Sequence, residues 1–342
     1  SQALGIFCLR TWLSKIRWMG AGAGFLLVVM TAAAGGAQAE ESERMATKRR
    51  QQGILTGMPF MANLASRTFV DDAGRKIFLA DPPARIVSLA PSVTEMLFAV
   101  GAGDQVVGVT SFCDYPPEAQ AKPKVGGAFP NLEVVLRLKP TLVVAPRDFI
   151  RPDMVAKLDQ LKIALFILDA GTLEDVLRHI QTIGRILGRS EKADAVAADL
   201  RRRVTEIKAR TADAARPRVF YVLNSDPLMT AGPGSFIHQL IELAGGVNVA
   251  AGAPVSYPRL SLEEVVKQDP QVILFPVGDD EGIPDQEQQR WLRWTTLSAV
   301  KQNRFVRIPS VLLDRPGPRV VDGLELLARQ LHPDLFPPGG TR

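Results

Sequence analysis

Two stretches of the chain, 130 residues apart, follow one pattern: Asn131-Leu-Glu-Val-Val-Leu-Arg-Leu-Lys-Pro-Thr-Leu-Val-Val144 and Ser261-Leu-Glu-Glu-Val-Val-Lys-Gln-Asp-Pro-Gln-Val-Ile-Leu274. Each opens on a capping residue and a Leu-Glu pair, continues with a short apolar helix face, stops at a proline and enters a β-rich run. That is half of a βαβ unit, present twice. Two further landmarks keep roughly the same offset. Arg85-Ile-Val-Ser-Leu opens the first half and Arg218-Val-Phe-Tyr-Val-Leu the second, and each half has a helix ending in glycines, at Gly101 to Gly103 and at Gly245 to Gly246. A duplicated α/β lobe leaves a cleft between the copies, a favoured place for a small ligand.

At 342 residues, 46% apolar and 23% charged, the chain has material for two ordinary cores. Arg10, Lys15 and Arg17 precede an apolar run from Met19 to Ala34, followed by Ala37-Gln38-Ala39 and then Glu40. This is the layout of a secretory signal peptide over residues 1–39, cleaved after Ala39, and the run is short for a spanning helix. A periplasmic address follows. Cys113 is then the single thiol of the mature chain, and no internal disulfide can form. The formal charge of +5 drops to +2 when the three leader cations leave, 38 Lys and Arg against 36 Asp and Glu. With no basic stripe interleaved with aromatics, nucleic acid is excluded as a partner class.

Residues 40–66 are polar, basic and without period, a flexible lead-in. The N-terminal α/β lobe is expected over 67–168, with strands at Ile86 to Ala90, Val106 to Thr110, Thr141 to Ala145 and Ile163 to Leu168. Residues 169–213 have no strand signal. Apolar residues recur there at helical spacing, predicting a long connecting helix interrupted near Gly188 to Ser190, its second segment on the order of 30 Å. The C-terminal α/β lobe follows over 214–336. Its strands are expected at Val219 to Leu223, Val272 to Phe275 and Arg304 to Ile308, its helices at Ser235 to Ala244, Leu262 to Gln268, Gln286 to Ala299 and Gly317 to Leu331. Residues 337–342 form a tail.

The chain has no phosphate loop, no nucleophile elbow and no Gly-x-Gly-x-x-Gly after a strand. His179, His238 and His332 are its three histidines, the first two inside helical runs, which disfavours a multi-His metal site. Ligands of open parallel sheets sit beyond the carboxyl ends of the strands. Those ends carry Ser111-Phe112-Cys113-Asp114-Tyr115, Pro146-Arg147-Asp148, Asn224-Ser225 and Leu313-Asp314-Arg315. The mixture of aromatics, small polar groups and arginines has no nucleophile-base pair, and suits recognition better than turnover; an enzyme acting on a metal chelate is the disfavoured alternative. Ser92-Val-Thr-Glu95 reads as a capping box that satisfies Glu95 within its own helix. In Ser261-Leu-Glu-Glu264 the box consumes Glu264 and leaves Glu263 free to point away. Glu133, after the cap Asn131, matches Glu263. Two carboxylates thus occupy symmetric places on two lobes, suited to a partner with two-fold symmetry.

Arg85-Ile-Val-Ser-Leu-Ala-Pro-Ser-Val-Thr-Glu95, Asp114-Tyr-Pro-Pro-Glu-Ala-Gln120, Asn131-Leu-Glu133, Lys139-Pro140 and Arg315-Pro-Gly-Pro-Arg319 resemble the periplasmic binding proteins for cobalamin, ferric siderophores and haem, over nearly the whole span from Arg67 to Leu331. The resemblance implies the class III architecture: two Rossmann-like lobes with parallel sheets joined by a long rigid helix, and a ligand clamped between them. It also implies a non-enzymatic, monomeric receptor with no intrinsic cofactor, delivering a cobalt or iron chelate to the permease dimer and ATPase of an ABC importer. Glu133 and Glu263 match the glutamates that engage permease arginines. The likeness is closest to the cobalamin-binding branch, through Asp114-Tyr-Pro-Pro and Val255-Ser-Tyr-Pro-Arg-Leu-Ser. The positions matching that branch's corrin-packing aromatics are Phe112, Gly127, Pro146, Met229 and Tyr257. Two of these are aromatic here; Phe129 is placed to replace the ring missing at Gly127, and Tyr115 lies in the matching motif. Arg315 matches an arginine that helps hold the ligand. For a ferric siderophore, Arg147, Arg259 and Arg315 would face the anionic donors; for haem, Tyr257 or Cys113 would be the axial donor.

Overall fold

In the computed structural model, the described residues are 67–278 and 283–336. The expected leader (1–39), lead-in (40–66) and tail (337–342) lie outside them.

The chain opens with an antiparallel hairpin, β1 (Thr68–Val70) and β2 (Lys76–Phe78), and then enters the strands β3 (Ile86–Ser88), β4 (Val106–Val109), β5 (Leu142–Pro146) and β6 (Ala164–Leu168). These four form one parallel sheet in the order β4-β3-β5-β6. In the second half, β7 (Arg218–Tyr221) is followed by a short hairpin, β8 (Asn224–Ser225) and β9 (Leu228–Met229), and then by β10 (Val247–Asn248), β11 (Val272–Val277) and β12 (Phe305–Pro309). The second parallel sheet has the order β10-β7-β11-β12. In chain order within each sheet, both read second, first, third, fourth. The repeated motifs occupy the same slot in both copies: each is the helix before the third strand, Leu132–Arg137 ahead of β5 and Leu262–Gln268 ahead of β11.

Alternate residues on each strand point to opposite faces. Leu142 and Val144 of β5, with Val219, Tyr221, Val272 and Leu274 of the second sheet, enter one continuous apolar cluster that spans both lobes. Val143 and Ala145 face a separate cluster on the outer side of the first sheet, and Phe220, Ile273 and Phe275 a third on the outer side of the second. Burial on both faces explains the unbroken apolar runs that signalled these strands.

The shared cluster is closed by helices from the connecting region. Leu173–Leu187 buries Val176, Leu177, Ile180 and Ile183; Ser190–Thr211 buries Ala197, Leu200, Val204 and Ile207. The break falls at Gly188, whose φ of 67° is left-handed and caps the first helix. The second helix, 22 residues and so about 33 Å long, lies on Val320–Leu331 of the second lobe, tied by Arg203 to Asp322 at 2.6 Å and to Glu325 at 2.9 Å. The two connecting helices approach most closely where a Cβ at Gly184 would fall 2.2 Å from that of Ala193 and 3.2 Å from the Arg189 carbonyl oxygen. Gly184→Ala therefore gains about 1 kcal/mol of helix propensity but overpacks the joint; a net loss of about 1–2 kcal/mol is expected in denaturant unfolding.

Three local expectations are corrected. The helix expected from Gln286 to Ala299 is broken into Asp285–Leu292 and Ser298–Lys301, because Asp269 accepts from the Ser298 amide (2.8 Å) and hydroxyl (2.7 Å) and so starts a new helix there. The helix expected from Gly317 begins at Val320, after Pro316 and Pro318. The third is the Ser92–Glu95 capping box. The helix Pro91–Ala99 is preceded by Ala90 with no side-chain cap, and Glu95 is 3% exposed with Oε1 accepting from Arg319 of the other lobe at 2.6 Å. Pro91 at the first turn starts that helix without a cap, which leaves Glu95 for the inter-lobe contact.

Candidate functional site

Residues beyond the carboxyl ends of the two sheets meet across the lobes, as where Arg315 donates to Asp114. On lobe one, the segment after β4 is held by the Ser111 amide donating to the Gly126 carbonyl at 2.8 Å. That bond sets the half-buried Phe112 ring against Gly127, where an added Cβ would meet the ring at 3.5 Å. Phe129, in the same loop, is 67% exposed. On lobe two, amides at 230, 232 and 260 donate to the carbonyls of Pro258, Ser256 and Leu228 at 3.1, 2.8 and 3.1 Å. This short ladder aligns Tyr257 and Arg259 beside Met229, and a backbone bridge joins Met229 to Arg259.

Tyr257 is half-buried, and its proton is held well above the ordinary phenol range, first by burial and then by the carboxylates of Asp314 and Asp148. Asp148 belongs to the end of β5, so the electrostatic contact crosses the cleft. Asp314 in turn accepts from the Tyr221 hydroxyl at 2.8 Å. Burial also raises the Asp148 carboxyl.

The remaining expected residues fall into distinct settings. Cys113 is 1% exposed, its sulfur between the Thr94 and Thr110 hydroxyls at 3.2 Å each, and burial pushes its thiol up. It faces the core, not the cleft, and is no axial donor in this conformation. Met229 is 7% exposed, with its side chain in the apolar cluster. Arg147 binds Asp169 at 2.8 Å and the Asp72 carbonyl. Arg315 is buried and donates to Asp114 of lobe one at 2.6 Å. Tyr115 is exposed and lies under the Arg319 guanidinium, 4.0 Å from its ring centroid. Phe112 and Phe129 thus stand in the segment after β4 of lobe one, and Tyr257 and Arg259 stand beside Met229 of lobe two.

Sequence reasoning missed the inter-lobe clasp in which Arg315 and Arg319 reach across to Asp114 and Glu95. The four-residue spacing of the arginines was visible; their partners, some 200 positions earlier, were not. His179 places Nε2 at 2.6 Å from Asp72, whose carboxyl is held down by His179 and Arg178 against the effect of burial, and this pair pins the N-terminal hairpin to the first connecting helix.

Glu133 and Glu263 sit in the first turns of the two matched helices, and both are exposed. Asn131 accepts from the amides of Glu133 and Val134 at 2.9 and 3.2 Å. Glu264 returns to the Ser261 amide at 2.6 Å. Among the described residues neither Glu133 nor Glu263 is in an ion pair.

Residues 86–312 match the family model described as periplasmic binding protein. The vitamin B12-binding protein of Vibrio cholerae is 32% identical over 252 residues, 73% of this chain and 90% of that one. The cobalamin-binding protein of Halobacterium salinarum is 34% identical over 319 residues, 90% of this chain and 82% of that one. Among solved structures, the periplasmic vitamin B12-binding protein of Vibrio cholerae superposes with a TM-score of 0.65 at 31% identity, covering 75% of this chain and 99% of that one. The periplasmic haem-binding protein of Roseiflexus does so at 0.65 and 27% identity, covering 73% and 98%. The doubled parallel sheet and its joining helices superpose on these solved structures, and the chain belongs to the periplasmic binding protein family.

Proposed function

We propose that this protein captures cobalamin or another corrinoid in the cleft between its lobes and hands it to an ABC importer. The observation that carries this reading is the likeness to two cobalamin-binding proteins across most of their length. The placement of the aromatics supports it: Phe112 follows β4 of lobe one and Tyr257 belongs to lobe two, two half-buried rings on opposite lobes that would stack on the two sides of a large flat macrocycle. Haem is the related alternative; burial and the carboxylates of Asp314 and Asp148 raise the cost of ionising Tyr257, which an iron–phenolate bond would require.

In this reading residues 1–39 direct the chain to the periplasm and are removed after Ala39, and the monomer docks through Glu133 and Glu263, one on each permease subunit. Residues 67–168 and 214–336 are the two lobes, with 169–213 as the joint between them.

The test is isothermal titration of the protein from Glu40 onward with cyanocobalamin, haemin and a ferric siderophore. Saturable one-to-one binding of cyanocobalamin is expected. Removing both rings, in Phe112→Ala with Tyr257→Ala, is expected to weaken it by about 2–4 kcal/mol, from the stacking lost at each. Silence toward cyanocobalamin with tight binding of an iron complex would move the ligand and contradict the corrinoid reading.

A further inference from the structure

The charges at the strand ends are more balanced than the arginines suggest. Arg147, Arg259 and Arg315 stand there with four carboxylates: Asp114, Asp148, Asp169 and Asp314. Two of the arginines are already committed. Arg315 donates to Asp114 at 2.6 Å across the lobes, and Arg147 is bonded to Asp169 at 2.8 Å. Asp148 and Asp314 bear on Tyr257 from the two lobes. Of the three cations, Arg259 alone is outside an ion pair among the described residues.

An anionic chelate entering such a cleft meets carboxylates that it repels. To reach Arg147 or Arg315 it must displace an existing carboxylate partner, exchanging one charge-assisted bond for another with little gain. A ligand edged with amides meets no such penalty, because the carboxylates accept from amide N–H and the paired guanidiniums keep donors to spare.

We propose that Asp114 and Asp169 are specificity-determining residues: by neutralising Arg315 and Arg147 they bias the cleft against anionic chelates and toward a metal chelate of little or no net negative charge. The proposal rests on the reading that this cleft holds a metal chelate.

The experiment titrates haemin, anionic through its propionates, and a ferric catecholate against wild type, Asp114→Asn and Asp169→Asn, with cyanocobalamin in parallel. Each isosteric change removes one carboxylate charge from beside a guanidinium, and affinity for the anionic chelates is expected to rise by roughly tenfold or more. The ratio of anionic-chelate affinity to cyanocobalamin affinity should rise in each Asn variant. The double variants Asp114→Asn/Arg315→Gln and Asp169→Asn/Arg147→Gln should lose the gain. Unchanged anion affinity in either Asn variant that melts cooperatively would overturn the proposal, as would a gain that persists without the arginine. The two aspartates act at separate strand ends, so failure of one variant to fold leaves the other decisive. Failure of wild type to bind cyanocobalamin would count against the corrinoid reading alone; the response to anionic chelates is read independently.

Discussion

Replacing Glu133 and Glu263 together by alanine is expected to abolish uptake of the ligand while leaving its binding intact. Both carboxylates project from first helical turns whose amides are already satisfied, by Asn131 on lobe one and by the Ser261–Glu264 box on lobe two. Neither supports the fold, so stability should change by less than about 0.5 kcal/mol. If each meets a permease arginine, truncation leaves that arginine unpaired in the interface. The expected loss is about tenfold in docking affinity for each glutamate and roughly a hundredfold for both. Binding is checked by titration and transport by uptake into proteoliposomes holding the permease and ATPase. Undiminished uptake by the double variant would remove these residues from the docking surface.

The second large effect is structural. Arg319→Ala takes the partner from a carboxylate that is 3% exposed and leaves Glu95 charged in an apolar setting. Breaking a buried pair in this way costs about 3–5 kcal/mol, and Tyr115 loses the guanidinium stacked on its ring. The loss should depend on pH. Burial raises the Glu95 carboxyl above its ordinary value, with Arg319 opposing the rise. A carboxyl with a raised folded-state pKa favours the fold below its unfolded value and loses that contribution as pH climbs through the folded value. Without Arg319 the rise is larger, so the deficit of the variant should be smallest below the unshifted 4.5 and grow toward neutrality. Urea unfolding at several pH values measures it; a deficit independent of pH would mean that Glu95 is not the group left exposed to the loss.

The parts of this architecture legible in the sequence are those written in local patterns. The helix-proline-strand repeat at Asn131 and Ser261 announced the third strand of each sheet, and the two sheets indeed share one strand order. Apolar runs buried on both faces located seven of the eight sheet strands; β10 escaped, since two residues carry no period. The strands of the hairpins β1–β2 and β8–β9, three and two residues each, were also too short to carry a period. At the site, the pattern of aromatics and arginines at strand ends was visible, but their states were not. Cys113 stands in a run of candidate residues and turns inward because two threonine hydroxyls receive its sulfur. Glu95 has the spacing of a capping box and a different partner, because an arginine 224 positions later reaches it first. Long-range charge pairing leaves no periodic trace in the chain, and it decides how much of the cationic character of this cleft is available to a ligand.

The claim that a corrinoid is held between the lobes is tested most directly by a crystal structure of the protein from Glu40 onward grown with cyanocobalamin. The macrocycle is expected between Phe112 of lobe one and Tyr257 of lobe two, with Arg315 still within hydrogen-bond distance of Asp114. A corrin ring seated elsewhere, such as the crevice of about 640 Å³ beside Glu95, Tyr115 and Arg203, or crystals that exclude it at saturating concentration, would contradict the account.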